Sequence, residues 1–261
     1  MGEESLRGGF TQGFFASGEI VKKLNYWIML GNNLSTLGIQ ASKETRELSK
    51  SISIWWMPTT GEYGARGGIG DFEYHKKAAT RFGFSYVTSR EDRFNNVGTP
   101  SPDNTQVRLT DGLLFFETGS LADGVTVEEA NYNMLSVDLG VKYKGFNAQL
   151  EMYGRRLSNF EADGSLPLSE IKDIGYSLQV SQMVIPRRLI IYGVNSYFWD
   201  QFKRHPYEIG GGVNVYPFNS RSWRLNAQYM RVYKTSAGGT FGLYNAGQTG
   251  STITIGTDIL L

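Results

Sequence analysis

Two histidines, His75 and His205, are the only imidazoles in the chain, and they limit what acid–base chemistry it could run near neutral pH. His75 lies in the run Asp71-Phe72-Glu73-Tyr74-His75-Lys76-Lys77, and His205 precedes Pro206 a short way after Asp200. A hydrolytic site needs a histidine held by an acid or amide beside a nucleophile. Glu73 with His75, or Asp200 with His205, could supply the acid–base half. An exposed turn histidine and a solvated loop tip are the simpler readings of the two. Cysteine is absent, which removes disulfides, thiolate zinc sites and cysteine nucleophiles. No Gly-x-Ser-x-Gly elbow, phosphate loop or metal-ligand spacing occurs. The glycine-rich stretches at 65–70 and 210–212 suit turns and sheet walls better than phosphate cradles. The expectation is a protein that is not an enzyme and uses no cofactor or metal.

A second set of polar residues is more informative because it alternates with apolar ones. Leu135, Val137, Leu139, Val141 and Tyr143 oppose Ser136, Asp138, Gly140, Lys142 and Lys144. Phe146, Ala148, Leu150 and Met152 alternate with Asn147, Gln149, Glu151, Tyr153 and Arg155. Trp223, Leu225, Ala227 and Tyr229 alternate with Arg224, Asn226 and Gln228, while Ile253, Ile255, Ile259 and Leu261 face away from Thr252, Thr254, Gly256 and Asp258. A period of two puts unlike residues on the two faces of a strand. Residues 176–181, 207–216 and 81–86 read the same way, 24–31, 51–56 and 190–198 less cleanly, and 10–19 weakly. That makes about eleven strands of roughly 8–11 residues, the length that crosses a bilayer at a tilt. Residues 42–50 are at most a short exposed helix.

The polar face so defined carries Arg81, Lys142, Lys144, Arg155 and Arg224 as cations and Asp138, Glu151, Glu208 and Asp258 as anions. If that face lines a lumen, these charges set a field that biases ion passage. They could equally pair across neighbouring strands, as Lys142 and Glu151 could about the 144–146 turn. Both uses remain open at this stage. Arg155, Arg156, Arg187 and Arg188 lie near strand ends, where rim anchoring competes with anion attraction.

The connections alternate as well. Short turns at 21–24, 144–146, 185–188 and 217–222 are separated by longer polar segments at about 32–50, 89–131, 157–172, 199–206 and 235–250. Short turns on one side and long loops on the other fit a transmembrane barrel. The 58–78 connection breaks the rule: it is long, yet parity places it on the short-turn side. The 89–131 excursion far exceeds an ordinary loop. Its apolar middle, 107–118, is expected to fold into the mouth and narrow it, with a hairpin cap or a subunit contact as the other option. Aromatic residues gather at strand ends (Trp55, Trp56, Tyr143, Phe146, Phe198, Trp199, Tyr216, Phe218, Trp223 and Tyr233) and are expected to form interfacial girdles.

Composition agrees with a wall that is greasy on one side and wet on the other. Gly is 32 of 261 residues, about 12% against a usual 7%. Aromatics make up 13%, yet the mean hydropathy is −0.31. A net charge of +1 gives no broad basic surface, so nucleic acid is not expected as a partner. No apolar run reaches the roughly 18 residues a spanning helix needs. A soluble sandwich also has period two, but it presses its apolar faces together into a dry core. The abundance of Asn, Gln, Ser, Thr, Gly and charge on the opposite faces favours a single wall with a wet lumen.

Several motifs point to a family. Residues 11–18, the Asp71-Phe72-Glu73-Tyr74-His75 run followed by Ala79-Thr80-Arg81-Phe82-Gly83, then Tyr143-Lys144-Gly145-Phe146 and Glu151-Met152-Tyr153-Gly154-Arg155 resemble the phosphate-selective porin O and P family. The resemblance runs from about Gly9 to the end. It implies an all-β transmembrane antiparallel up-and-down β-barrel in the outer membrane of a Gram-negative bacterium. It also implies contact with outer-membrane lipid and lipopolysaccharide, frequent assembly as a homotrimer, and passage of small solutes or anions. Arg81, Lys142, Lys144 and Arg155 match the channel cations of such a family. The last strand looks like the family's assembly signal, although it ends on Leu261 where an aromatic is more usual. A single-chain bacterial barrel has an even number of strands, and the start Met1-Gly2-Glu3-Glu4-Ser5-Leu6-Arg7 has no export-signal pattern. Residues 1–261 therefore read as one porin-type domain, the C-terminal portion of a 16–18-stranded barrel. The rival expectations are an outer-membrane hydrolase using His75 or His205 as base, and a closed barrel whose outer loops recognise a partner.

Overall fold

The structure, a computed structural model, describes residues 13–31, 48–63, 70–93, 101–102, 104–235 and 247–259. Eleven strands run β1 (Gly13–Val21), β2 (Leu24–Gly31), β3 (Ser49–Trp56), β4 (Ala79–Asp92), β5 (Val127–Tyr143), β6 (Phe146–Ala162), β7 (Glu170–Ile185), β8 (Leu189–Asp200), β9 (Tyr207–Val215), β10 (Trp223–Tyr233) and β11 (Gly250–Ile259). They form one antiparallel up-and-down sheet in which every strand pairs with its sequence neighbours. The described residues include no helix. Of the segment expected as a short helix, 42–47 lie outside the described residues and Ser49 and Lys50 open β3. Positions 10–12 and Leu261 also lie outside them.

The sheet is not closed. Among the described residues β1 pairs only with β2 and β11 only with β10, which leaves one edge of each without a strand partner there. The two edge strands of an eleven-stranded antiparallel sheet run in the same direction, so they cannot join by the antiparallel ladder used everywhere else. What the structure contains is a barrel-like wall with a seam.

The tightest hairpin follows from two residues. Lys144 (φ 48°) and Gly145 (φ 84°) both take positive φ, the requirement of a two-residue type I′ turn between paired strands, and Tyr143 and Phe146 pair across it. Strands β4 to β8 run longer than the alternation indicates, up to 17 residues in β5 and β6. Beyond the apolar stretch the two faces need not differ, so the period fades while pairing continues. At that end Arg90 holds the extension with Glu129 (3.0 Å) and Glu161 (2.6 Å).

The apolar face is bare. Leu139, Ile174, Ile191, Ile209, Leu225 and Ile255 are between 36% and 85% exposed, and nothing among the described residues packs on them. Soluble monomers rarely leave an apolar surface of this extent open. Aromatic rings border it at both ends. On the long-loop side Tyr176, Tyr197, Tyr207 and Tyr233 fall in one register row across β7 to β10, with the Trp199 ring tilted against Tyr197 at 4.5 Å. On the short-turn side stand Trp56 and Phe82, 6.0 Å apart, and Phe218 and Trp223, 5.4 Å apart. Three of the ten expected girdle residues turn the other way. Trp55, Phe198 and Tyr216 lie on the polar face, because adjacent residues of a strand cannot share a face. There they meet Arg81, Tyr153 and Phe72.

The buried clusters lie on the polar face, at its two ends. Phe72, Met183, Ile190 and Tyr216 form the one at the short turns, and Val107, Leu109, Phe115, Phe116, Val127, Ala130, Leu157 and Ile171 the one at the long loops.

Candidate functional site

Two connections fold back onto the polar face, and the space between them is the candidate site. The first is the described part of the 57–78 connection, residues 57–63 and 70–78, whose length the turn parity does not account for. Lys23 fastens its start, donating from Nζ to the Pro58 and Thr59 carbonyls at 2.9 and 2.6 Å. Tyr63 then reaches over the wall and donates to Asn147 Oδ1 (3.2 Å) and the Ala148 carbonyl (3.3 Å). Gly140 is what admits this ring, since a Cβ there would sit 2.3 Å from the Tyr63 oxygen. Burial pushes the Tyr63 phenol up to about 12.

Asp71 locks the end of the same segment. Its buried carboxylate accepts the backbone N–H of His75 and of Gly145, both at 2.9 Å, and is also bonded to His75 Nδ1. His75 Nε2 meets Glu62 at 2.7 Å. Burial works against charge on His75, but the bonds to Asp71 and Glu62 outweigh it and hold the imidazole above its ordinary pKa of 6.5. Phe72 packs edge-on to Tyr216 (4.8 Å), and Glu73 pairs with Arg221 (3.1 Å). The segment thereby ties the β5–β6 turn to the β9–β10 turn.

The second connection, 104–126, covers the opposite end. Phe115 and Phe116 are fully buried against Val127, Leu157 and Ile171. Arg155 Nη1 donates to the Arg108 carbonyl at 2.7 Å, and Thr110 donates to Asp200, which also binds Arg204. Residues 107–118 thus pack on the polar face of the sheet.

Between the two segments, ion pairs run along the wall. Arg81 Nε meets Asp138 at 2.7 Å, Arg155 Nη2 meets Asp173 at 2.6 Å and Arg224 Nη2 meets Asp258 at 2.7 Å. Gly83 makes the first of these possible, because a Cβ there would fall 1.9 Å from an Asp138 oxygen. A cavity of about 210 Å³ opens beside that pair, lined by Tyr63, Arg81, Asp138, Gln149, Glu151 and Gln179 among others.

Eight of the nine residues expected on the polar face are there: Arg81, Asp138, Lys142, Glu151, Arg155, Glu208, Arg224 and Asp258. Lys144 is not. It occupies the hairpin turn, where the strand alternation no longer applies, with its ammonium 5.1 Å over the Tyr143 ring. Lys142 does not pair with Glu151 either. Its register partner on β6 is Asn147, and its ammonium lies 4.6 Å over Tyr63, while Glu151 falls opposite Asp138. Asp173 was missed: it follows a charged stretch in which the period of two is weak, and only the β6–β7 register puts it beside Arg155.

The histidine pairings of the sequence are also replaced. Glu73 serves Arg221, and His75 has both ring nitrogens on other carboxylates, which leaves neither for a hydroxyl nucleophile. Asp200 serves Thr110 and Arg204, while His205 stacks on Tyr197 at 6.1 Å with Nδ1 unbonded. No group of three metal-ligating side chains occurs among the described residues.

Fold and site together define a class: an open-seamed, barrel-like, up-and-down all-β wall, apolar on one face and polar on the other, with two segments folded onto the polar face. No family model, curated protein or solved structure matches the chain.

Proposed function

We propose that this chain forms the wall of a water-filled channel in the outer membrane of a Gram-negative bacterium, through which small hydrophilic solutes diffuse without a covalent step. The observation that carries the reading is the bare apolar face. Along β10 its aromatic borders, Trp223 and Tyr233, are ten residues apart. That is about 33 Å of strand and, at a tilt of about 40°, about 25 Å along the barrel axis, the height of an outer-membrane apolar band. The motifs similar to phosphate-selective porins support the same reading, and with it lipid and lipopolysaccharide contact and assembly as a homotrimer. Their anion preference is not carried over, because the wall arginines are neutralised by carboxylates.

Reconstitution in a planar bilayer tests the channel directly: stepwise conductance is expected, and its absence at high protein load would reject the reading. The lipid-facing assignment has its own test. Leu139→Arg on the apolar face should cost about 2–4 kcal/mol of folding stability in lipid, as a cation near the bilayer midplane does. Ser136→Arg, on the polar face of the same strand, should cost far less. Equal tolerance of the two would contradict the orientation.

A second reading, a closed barrel whose loops bind a partner, draws on the fully buried seating of Phe115 and Phe116 over the inner face. It expects no conductance until that segment is released.

A further inference from the structure

We infer that the channel prefers cations and that Glu151 sets the preference; this rests on the channel reading above. Charge placement carries the inference. Within the nine residues expected on this face, removing Lys144 and adding Asp173 leaves Arg81, Lys142, Arg155 and Arg224 against Asp138, Glu151, Asp173, Glu208 and Asp258. The small excess of positive charge in the sequence pattern becomes an excess of negative charge.

Pairing sharpens the point. Three of the four cations are spent on Asp138, Asp173 and Asp258, so each presents solution with a neutral pair. The fourth, Lys142, is 2% exposed, under the Tyr63 ring and close to Asp71. Its charge is withdrawn from the passage. On the acidic side Glu151 is exposed and lines the cavity, with no cation bound to it among the described residues. Glu208, half-buried between Ser196 and Val232 in register, likewise has none.

Glu151 also stands opposite Asp138 in the β5–β6 register. Like charges facing each other across a strand pair are destabilising. Arg81 bonds Asp138 alone, so the facing carboxylates are only half compensated. Within the cavity the fixed charges of Arg81, Asp138 and Glu151 sum to one negative. A solute crossing this stretch meets an uncompensated carboxylate, the type of group that acidic rings present in cation channels.

The test is the reversal potential of the full chain in a planar bilayer across a potassium chloride gradient. Wild type should give the sign of a cation-preferring pore. Glu151→Gln, nearly isosteric and relieved of the repulsion with Asp138, should fold normally and lower the potassium-to-chloride permeability ratio about sixfold, because one unit charge about 8 Å away in water acts about 2.4-fold on each ion and in opposite directions. Asp138→Asn, which frees the Arg81 guanidinium, should shift the ratio in the same direction. An anion-preferring wild type, or an unchanged ratio in Glu151→Gln, would overturn the inference while leaving the channel standing. No conductance from wild type would overturn the channel reading and this inference with it.

Discussion

Phe115→Ala should open the long-loop end of the wall. The ring is fully buried, 4.9 Å from Phe116 and 5.4 Å from Phe160, in the cluster that joins the 104–126 segment to β5, β6 and β7. Truncating a buried phenylalanine costs about 3–5 kcal/mol. Most of that cost falls on the segment, because the sheet keeps its own backbone ladder. Protease cutting within 104–126 should therefore accelerate many-fold while the sheet resists. Single-channel conductance should rise if the segment narrows the passage, and should appear for the first time if the segment closes it. Unchanged cutting and unchanged conductance would mean that the segment is not held by this cluster. Leu113→Ala, at an exposed position of the same segment, is the matched control and should do neither.

Asp71→Asn is expected to release the opposite end. The side chain of Asp71 is 0% exposed and that of His75 9%, so the substitution removes the buried carboxylate bonded to the His75 ring and weakens two backbone bonds. Breaking one partner of a buried pair costs about 3–5 kcal/mol. The expected result is protease access at 70–78 without loss of the sheet, and a His75 pKa that falls, read by NMR titration.

The same clamp gives a pH dependence whose sign is fixed. The folded pKa of His75 is raised, so its contribution is fully present below the ordinary value of 6.5 and is lost as pH rises through the folded value. Wild-type segment 70–78 should be cut more slowly at about pH 5.5 than at about pH 8.5, and Asp71→Asn should flatten that difference. A wild-type profile running the other way would show that the imidazole is not charged in the fold.

Which parts of this were legible beforehand follows from the range over which each property acts. Alternation is local: Leu135 to Tyr143 against Ser136 to Lys142 can be read without knowing any partner strand. The eleven strands, their antiparallel order and the face of most wall residues therefore came from residue type and spacing. Lys144 marks the limit, because one residue past the strand the rule no longer holds. Trp55 and Trp56 mark another, since proximity to a strand end says nothing about which face a ring occupies.

The chain's own pattern settled that it builds a two-faced sheet, because a period of two needs only neighbours along the backbone. Tertiary structure alone decided what that face does with its charges. Arg81 finds Asp138 across 57 residues, Thr110 finds Asp200 across 90, and Asp71 reaches Gly145 across 74. Such pairings depend on strand register and on where two long connections come to rest. Both are set by packing, as Phe115 and Phe72 pack, and packing leaves no periodic trace in the order of residues.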